Sequence, residues 1–251
     1  MKNLIITLLL LVPLMAPAQE KSTQAYSIHE DQVKPSMVAE YEMISKELID
    51  NLKKHNIQGV NWLAASTTDF RYMFVSKIDN MADLDRPRFK ELAEKMGKEA
   101  LADLFDRMDK CYDKHGSYIL NLDESLSYMP EGIDQNPTGQ SYRQFAYWHI
   151  APANLSAAVD LAKEIKALYA KKGSKHYYRI YRSGFGTMDS YFLVAIASKD
   201  ATTFAMKDAE NLELLGEEGQ QIFGKALKLA SKYEEVSGSI RADLSYMPVS
   251  N

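Results

Sequence analysis

The pentapeptide Leu126-Ser127-Tyr128-Met129-Pro130 recurs 118 positions later as Leu244-Ser245-Tyr246-Met247-Pro248. At the same offset, other residues of similar kind fall on one another: Lys53-Lys54 on Lys171-Lys172, Phe74 on Phe192, Phe105 on Phe223, and Met37 on Leu155. Two long copies indicate a duplicated fold rather than a solenoid of short repeats. The chain is therefore predicted to use one structural unit twice.

Each copy shows the same order of hydrophobic patterns, in which the spacing of apolar residues distinguishes helices from strands. In the first copy, the pattern predicts a strand at 26–29, a helix at 36–55, strands at 58–65 and 71–78, a broken helix at 88–114 and a strand at 117–128. In the second copy, it predicts a strand at 145–150, a helix at 155–172, strands at 176–182 and 191–198, helical pieces at 201–214 and 217–233, and a strand at 237–246.

This β-α-β-β-α-β order is that of the ferredoxin-like unit, an α+β arrangement of four antiparallel strands with helices on one face. The other face of the sheet stays open and needs a cover. Two tandem units that pack through their open faces supply that cover. The predicted architecture is therefore a pseudo-dimeric α+β barrel made by tandem ferredoxin-like repeats.

The chain divides into four predicted segments. Residues 1–18 have a positive start at Lys2, an apolar run and the small-residue site Ala16-Pro17-Ala18, which is the pattern of a secretory signal peptide. The first repeat then spans 19–128, a linker 129–143, and the second repeat 144–251. These features predict an exported protein, periplasmic or extracellular, with no membrane span after cleavage of the signal.

Composition narrows the classes of partner. The formal net charge is −4 and no basic arm is present, which argues against a nucleic-acid partner. Cys111 is the only cysteine, so no intramolecular disulfide can form. The five histidines show no close His-x-His spacing and there is no cysteine pair, so neither a metal site nor a cofactor is predicted. The oligomeric state is left open.

The chain resembles the dimeric α+β barrel superfamily, which includes antibiotic-biosynthesis-type monooxygenases, NIPSNAP-like proteins and stress-responsive barrel proteins. The resemblance rests on the element order, the broken second helix and the tandem arrangement, and it covers nearly all of the chain after residue 18. Haem-degrading members carry an Asn, Trp and His triad with the His on a helix, and haem-binding tandem members place a proximal His on a helix. Here Trp62 is on a predicted strand and Asn61 points to the opposite face, so those catalytic residues do not carry over.

Strand alternation places a set of polar and aromatic side chains on the face that meets the other sheet. The candidate ligand contacts on that face are His29, Asn61, Tyr147, His149, Arg179, Tyr181 and Arg241. We interpret His29 as the counterpart of His149 in the first copy. Buried charges must be paired or hydrated, so the alternative is a polar network in which Asp123 and Asp243 satisfy the arginines.

Three functions remain open, and the sequence does not decide whether the protein is an enzyme. The favoured reading is an exported barrel protein of unknown specific function that binds a small apolar or aromatic molecule between its halves. The second is a cofactor-independent, oxygenase-like enzyme acting on a small molecule through Tyr147, His149 and Arg179. The third is a protein-interaction module that binds partners through exposed sheet edges and helices.

Overall fold

The computed structural model describes residues 23–249, so the predicted signal peptide lies outside the described residues. Gly97, with a φ of 97° that favours glycine, separates two helices where the helical pattern predicted a break. The N-terminal half contains, in order, β1 (Thr23–Val33), α1 (Val38–Lys54), β2 (Leu63–Thr67), β3 (Arg71–Lys77), α2 (Lys90–Met96), α3 (Lys98–Met108) and β4 (Tyr112–Asp123).

The C-terminal half has the same order of strands and helices. It contains β5 (Tyr142–Ile150), α4 (Leu155–Lys172), β6 (Arg179–Ser183), β7 (Tyr191–Ser198), α5 (Ala201–Leu229) and β8 (Ala230–Ile240). Gly173 ends α4 in the left-handed conformation, as predicted, and Gly216 kinks α5 between the two predicted helical pieces. Among residues 23–249, no helix is both long and apolar enough to cross a bilayer.

The eight strands close into one antiparallel barrel in the order β1-β3-β2-β8-β5-β7-β6-β4. Two seams join the halves: β2 pairs with β8, and β4 pairs with β6. Each of these strands therefore has a hydrogen-bonded neighbour on both sides. Closure removes the free sheet edges that the interaction-module hypothesis invoked, and leaves only the helices as its predicted binding surface.

Alternating side chains separate an interior face from an outer face that carries the helices. The interior holds a cluster that includes Ile28, Met73, Leu120, Phe145, Tyr147, Leu193 and Val236. The two outer clusters lie under the helices of their own half, and they include Tyr41, Leu52 and Trp62 in the N-terminal half and Leu161, Tyr178 and Ile222 in the C-terminal half. One apolar layer thus fills the barrel interior, and two others lie between the outer face of the sheet and the helices of each half.

The repeated pentapeptides occupy matching places after β4 and β8. Tyr128 forms a β-bridge with Tyr178, and Tyr246 forms one with Trp62. The hydroxyl of Tyr246 lies 2.8 Å from the carbonyl oxygen of Ile57 after α1, while that of Tyr128 lies 3.1 Å from the carbonyl oxygen of Ser174 after α4. Each pentapeptide therefore follows the last strand of one half and is anchored near the end of the first helix of the other half.

Several strands begin earlier than the sequence pattern predicted. β4 begins at Tyr112 and β8 at Ala230, and five consecutive exposed residues near the start of each give no apolar alternation to read. β1 extends over Thr23–Val33 rather than 26–29, because its polar end pairs with this exposed part of β4. β5 begins at Tyr142, so the predicted linker at 129–143 ends two residues early.

Candidate functional site

Four of the seven predicted contact residues lie on the interior face of the barrel: Tyr147, Arg179, Tyr181 and, at its rim, His149. Tyr147 and Tyr181 belong to the interior cluster, and Arg179 pairs in register with the interior residue Ala195. Tyr147 is 7% exposed, and burial raises the pKa of its hydroxyl to about 12. The guanidinium of Arg71 lies 5.2 Å from the centre of the Tyr147 ring, within the range of a cation–π contact.

Arg179 is held by the linker rather than by the predicted aspartates. Its Nη1 donates to the carbonyl oxygen of Asp134 at 2.6 Å. The neighbouring Arg143 is 2% exposed and donates to the carbonyl oxygens of Gln135, at 2.8 Å, and of Gln140. Burial, with the nearby positive charge of Arg179, lowers the pKa of Arg143 to about 10. The two guanidinium groups fix the linker across one end of the barrel.

His149 lies at the other end of the interior face, beside Tyr191. Its Nε2 is 2.9 Å from a carboxylate oxygen of Glu234, and its Nδ1 is 3.6 Å from one of Asp189. His149 is therefore paired with acidic groups of the barrel rim.

The structure corrects the placement of His29, which lies on the outer face of the sheet. A bulge lies between Gln32 and Val33 in β1, and the matching bulge in β5 lies between His149 and Ile150. Gln32 is thus the positional counterpart of His149. Because successive side chains alternate between faces, the pairing of His29 with His149 was wrong, and the two imidazoles lie on opposite sides of the barrel wall.

Asn61 and Arg241 also lie away from the interior. Asn61 is exposed and precedes β2, which starts later than predicted. Arg241 follows the last residue of β8, and its guanidinium forms ion pairs with Glu42 of α1 and, at 2.8 Å, with Asp243. The predicted contact of Arg241 with Asp243 exists, but it fastens α1 to the outer face instead of crossing between the halves.

A cavity of about 610 Å³ lies between the helices of the N-terminal half and the outer face of its sheet; we call it the N-terminal cavity. Its size is in the range of small-molecule sites. Helices α1 and α3 cover the sheet because their buried residues recur at helical spacing. The apolar wall is formed mainly by Leu48, Ile49, Trp62, Phe74, Phe89 and Phe105.

The sheet side of this cavity carries a set of polar residues, which we call the polar floor: Ser27, His29 and Asp31 of β1, and His115 and Ser117 of β4. They share one face because they are two residues apart on each strand, and the register sets His115 opposite Asp31 and Ser117 opposite His29. The Nε2 of His29 lies 3.2 Å from Oδ1 of Asp31, and its Nδ1 lies 3.0 Å from the Ser117 hydroxyl.

Asp31 is the buried centre of the polar floor, at 2% exposure. Its Oδ2 accepts a hydrogen bond from the Tyr41 hydroxyl at 2.6 Å. Its Oδ1 makes no hydrogen bond with any described residue. His115 is a more exposed neighbour, with Nδ1 at 3.9 Å from that same Oδ1 and its ring stacked on Tyr112.

Arg88 supplies a positive charge to the N-terminal cavity. It precedes α2, and its Nη2 donates to the Ser27 hydroxyl at 3.1 Å. Burial lowers the pKa of its guanidinium, and no carboxylate among residues 23–249 forms an ion pair with it. Partial burial of a cation without a carboxylate partner is unfavourable, so this end of the cavity favours an anionic oxygen of a ligand.

The C-terminal half completes one side of the N-terminal cavity through the hairpin between β6 and β7. Phe185 lines the cavity, and its carbonyl oxygen accepts from the backbone N–H of Ile119 at 2.8 Å. At Gly186, with a φ of 89°, an added Cβ would lie 2.9 Å from the carbonyl oxygen of Ser117. Glycine therefore allows the hairpin to approach the polar floor closely.

No family model and no curated protein matches the chain. Solved structures do match it over nearly their whole length. An anthrone oxidase-like protein is 10% identical with a TM-score of 0.58, covering 87% of this chain and 91% of that one. A putative monooxygenase from Fusobacterium nucleatum subsp. nucleatum is 9% identical, with a TM-score of 0.53 and coverages of 87% and 92%. A chlorite dismutase from Candidatus Nitrospira defluvii is 12% identical, with a TM-score of 0.53 and coverages of 89% and 93%.

The chain shares the α+β barrel fold of these solved structures. At these identities the likeness shows the fold alone. The predicted α+β class and the barrel are confirmed, and in this α+β barrel eight strands from one chain complete the closed sheet.

The C-terminal half of the α+β barrel has its own outer cavity, of about 450 Å³, which we call the C-terminal cavity. It lies between α4, α5 and the sheet, and is lined by aromatic residues such as Trp148 and Phe192. Trp148 pairs in register with Tyr233, and their rings lie 4.4 Å apart. Relative to the bulge, this aromatic pair occupies the position that Asp31 and His115 hold in the other half.

The residues of this α+β barrel do not fit the haem arrangement described for the haem-binding members of the superfamily that the sequence resembles. That arrangement needs a proximal histidine on a helix, and the helices within residues 23–249 contain none. His176 lines the C-terminal cavity, but it precedes β6 and its Nε2 lies 3.5 Å from Asp208. Burial lowers the pKa of His176, which keeps the imidazole neutral beside that carboxylate.

Sequence reasoning missed the polar floor for two reasons. His115 was assigned to the end of a helix, whereas it lies on β4. Asp31 fell outside the short first strand that was predicted, although β1 includes it. The available signal was His29-x-Asp31, because a spacing of two on a strand places both side chains on one face.

Proposed function

We propose that the protein is an oxygenase-like enzyme that acts on a small aromatic molecule in the N-terminal cavity. The observation that carries this proposal is one cavity with an aromatic wall, a polar floor and the guanidinium of Arg88, which has no carboxylate partner within residues 23–249. Ligand sites commonly combine a mostly apolar lining with a few polar groups that fix orientation. The choice of reaction class is supported by two proteins of the same fold, the putative monooxygenase and the anthrone oxidase-like protein.

The reaction that suits this lining is oxidation of an activated CH₂ group next to an aromatic ring. A group of the polar floor accepts a proton, and Arg88 stabilises the negative charge that moves onto a substrate oxygen. The resulting carbanion transfers electrons to dioxygen. One oxygen atom stays on carbon as a carbonyl, the other leaves with two hydrogens as water, and no external reductant is consumed.

Anthrone is the probe for this proposal, because it is a flat aromatic molecule with an activated CH₂ and an oxygen that becomes anionic on deprotonation. We expect the purified protein, with a chelator present, to bind anthrone and to consume dioxygen with formation of the quinone and water. Arg88→Gln should raise the Kd at least tenfold, equivalent to about 1.4 kcal/mol.

The matched control is Arg86→Gln, because Arg86 is two residues away, has an 80% exposed side chain and pairs with Asp83 on the surface. This variant should bind like the unmodified protein. Equal affinities of the Arg88→Gln variant and the unmodified protein would rule out this cation as the ligand anchor, and absence of binding would sink the choice of substrate class.

The proposed site lies outside the barrel, whereas the favoured sequence-based hypothesis placed the ligand between the two halves. The interior between the halves is packed by side chains such as Phe145, Leu193 and Val236, and the two large cavities lie on the outer faces. The proposed site accordingly belongs to one half, with Phe185 contributed by the other.

We also propose that the halves descend from a tandem duplication of one ferredoxin-like unit, and that the chain is exported after cleavage behind Ala18. The matching element order and the bridges made by Tyr128 and Tyr246 support the duplication. The Ala16-Pro17-Ala18 site supports export. N-terminal sequencing of the protein from a secreting host should begin at Gln19, and an intact N-terminus would contradict export by this route.

A further inference from the structure

We infer that His29, Asp31 and His115 bind a divalent first-row transition-metal ion at the floor of the N-terminal cavity. One ligand atom from each residue lies within 4.8 Å of the other two. The inference goes beyond the proposed oxygenation and does not depend on it, because the three side chains form the site whatever the cavity binds.

The spacing of the three groups is close to that of a metal site. Bonds of about 2.0–2.2 Å from a metal to nitrogen and oxygen ligands put neighbouring ligand atoms roughly 3 Å apart. Nε2 of His29 and Oδ1 of Asp31 are 3.2 Å apart, and Nδ1 of His115 is 3.9 Å from that oxygen. The side chain of His115 stacks on Tyr112 but is 57% exposed, so a rotation of its side-chain bonds can shorten the remaining distance.

One carboxylate oxygen of Asp31 has no hydrogen-bond donor among the described residues, and a metal ion would satisfy it. Oδ1 is buried and makes no hydrogen bond with any described residue, although His29 lies near it. Nε2 of His29 is 3.2 Å from this oxygen, and in the tautomer with the proton on Nδ1 both atoms have a lone pair for an ion between them. Buried carboxylate oxygens are otherwise hydrogen-bonded or ion-paired, and metal coordination is the third way of satisfying them.

Outer groups already orient two of the three ligands. The Tyr41 hydroxyl holds the second oxygen of Asp31, and the Ser117 hydroxyl lies 3.0 Å from Nδ1 of His29. A proton on Nδ1 donated to Ser117 leaves Nε2 unprotonated and directed to the metal side. Such supporting hydrogen bonds fix the tautomer and ring orientation of metal-bound histidines.

Two imidazoles and one carboxylate select the kind of ion. This donor set suits Fe²⁺, Mn²⁺, Co²⁺ or Zn²⁺ better than Mg²⁺ or Ca²⁺, which prefer oxygen ligands. Three protein ligands leave coordination positions open, and these face the cavity. A bound ion would supply Lewis acidity and a hydroxide at neutral pH.

The site is specific to the N-terminal half. At the matching positions of the C-terminal half, the rings of Trp148 and Tyr233 pack at 4.4 Å with their planes tilted by 58°, and they offer no metal ligand. One ion per chain is therefore expected.

The test uses the full mature chain stripped of metal with a chelator and then titrated with Co²⁺, Zn²⁺ or Mg²⁺ alone. We expect one Co²⁺ or Zn²⁺ per chain with micromolar or tighter Kd, a visible cobalt absorption band, and no comparable binding of Mg²⁺. His115→Gln should raise the Kd for Co²⁺ at least tenfold. His55→Gln, which changes a histidine outside the cavity lining, is the matched control and should leave the Kd unchanged.

Asp31→Asn should abolish the cobalt band, and its melting curve shows whether the barrel still folds. If it does not fold, His115→Gln decides the question, because that side chain is largely exposed. Absence of Co²⁺ binding by the unmodified protein, or unchanged binding by His115→Gln, would overturn the inference. Anthrone binding is measured in chelator, so failure of either proposal leaves the other standing.

Discussion

At the residue scale, Tyr147 shows how burial in the barrel interior changes the pKa of a hydroxyl group. Its hydroxyl is buried beside Arg71, and burial raises the pKa to about 12, above the ordinary value for tyrosine of about 10. The folded state thus prefers the neutral phenol. The stabilisation is fully present below about pH 10 and is lost as the pH rises through the folded-state pKa.

We therefore expect Tyr147→Phe to flatten the alkaline loss of stability. Between pH 9 and pH 12, the free energy of unfolding of the unmodified protein should fall by about 2 kcal/mol more than that of the variant. Urea unfolding followed by circular dichroism at each pH measures the difference. Because the other buried tyrosines are common to both proteins, parallel pH profiles would contradict the assignment.

Asp31 shows why the candidate site was beyond single-sequence reasoning. A lone aspartate near a histidine is common, and only the register of β1 with β4 sets His115 opposite it. The sequence did indicate that Tyr147, Arg179 and Tyr181 would point inward, because strand alternation is local information. It did not indicate that the interior would be packed while cavities open on the outer faces.

At the element scale, the seam between β2 and β8 depends on a small residue. Gly238 lies opposite Thr67, and a Cβ added to it would meet the carbonyl oxygen of Ser66 at 2.3 Å. Real Cβ atoms do not approach backbone oxygen so closely, so a side chain at this position must push the two strands apart. The seam itself is short, since only Ala65–Thr67 pair with 238–240.

Gly238→Ala should therefore destabilise the barrel by about 1–3 kcal/mol, the usual effect of overpacking. Thermal and urea unfolding measure the loss. Gly116→Ala is the matched control, because Gly116 also lies on a strand but an added Cβ there meets nothing within 4 Å. That control should stay within about 0.5 kcal/mol of the unmodified protein. Equal stability of the two variants would mean that the strands separate freely at the seam.

The elements that were predicted correctly have clear local signals. The bounds of α4 and β7 agree with the predicted 155–172 and 191–198, because a glycine ends the first and apolar residues fill the second. The start of β4 was missed because Asp113, Lys114 and neighbouring residues are exposed on both sides. A strand stabilised by pairing rather than by burial has no alternating hydrophobic pattern. The start of β4 was therefore assigned to a helix, and His115 was not recognised as a strand residue.

At the scale of the whole molecule, the linker acts as a cover for one barrel end. The side chain of Arg143 is almost wholly buried, and it binds linker carbonyl oxygens instead of a carboxylate. Removal of its guanidinium leaves those partly buried oxygens without this donor, each at a cost of up to about 1–3 kcal/mol.

Arg143→Met should lower the free energy of unfolding by about 3 kcal/mol and release the linker. Limited proteolysis with a glutamate-specific protease should then cleave after Glu131 faster than in the unmodified protein. Arg182→Met is the control, because its side chain is 43% exposed, and it should resist cleavage. A linker that remains resistant in Arg143→Met would show that other contacts hold it.

Closure of the barrel within one chain has a genetic consequence. In a homodimer every codon change appears in both subunits, so a mutation that improves one pocket also alters its twin. Here a change near Trp148 and Tyr233 leaves Asp31 and His115 untouched. The two pockets can thus drift independently, and the aromatic one is a place where binding can be selected or engineered without changing the polar floor of the other.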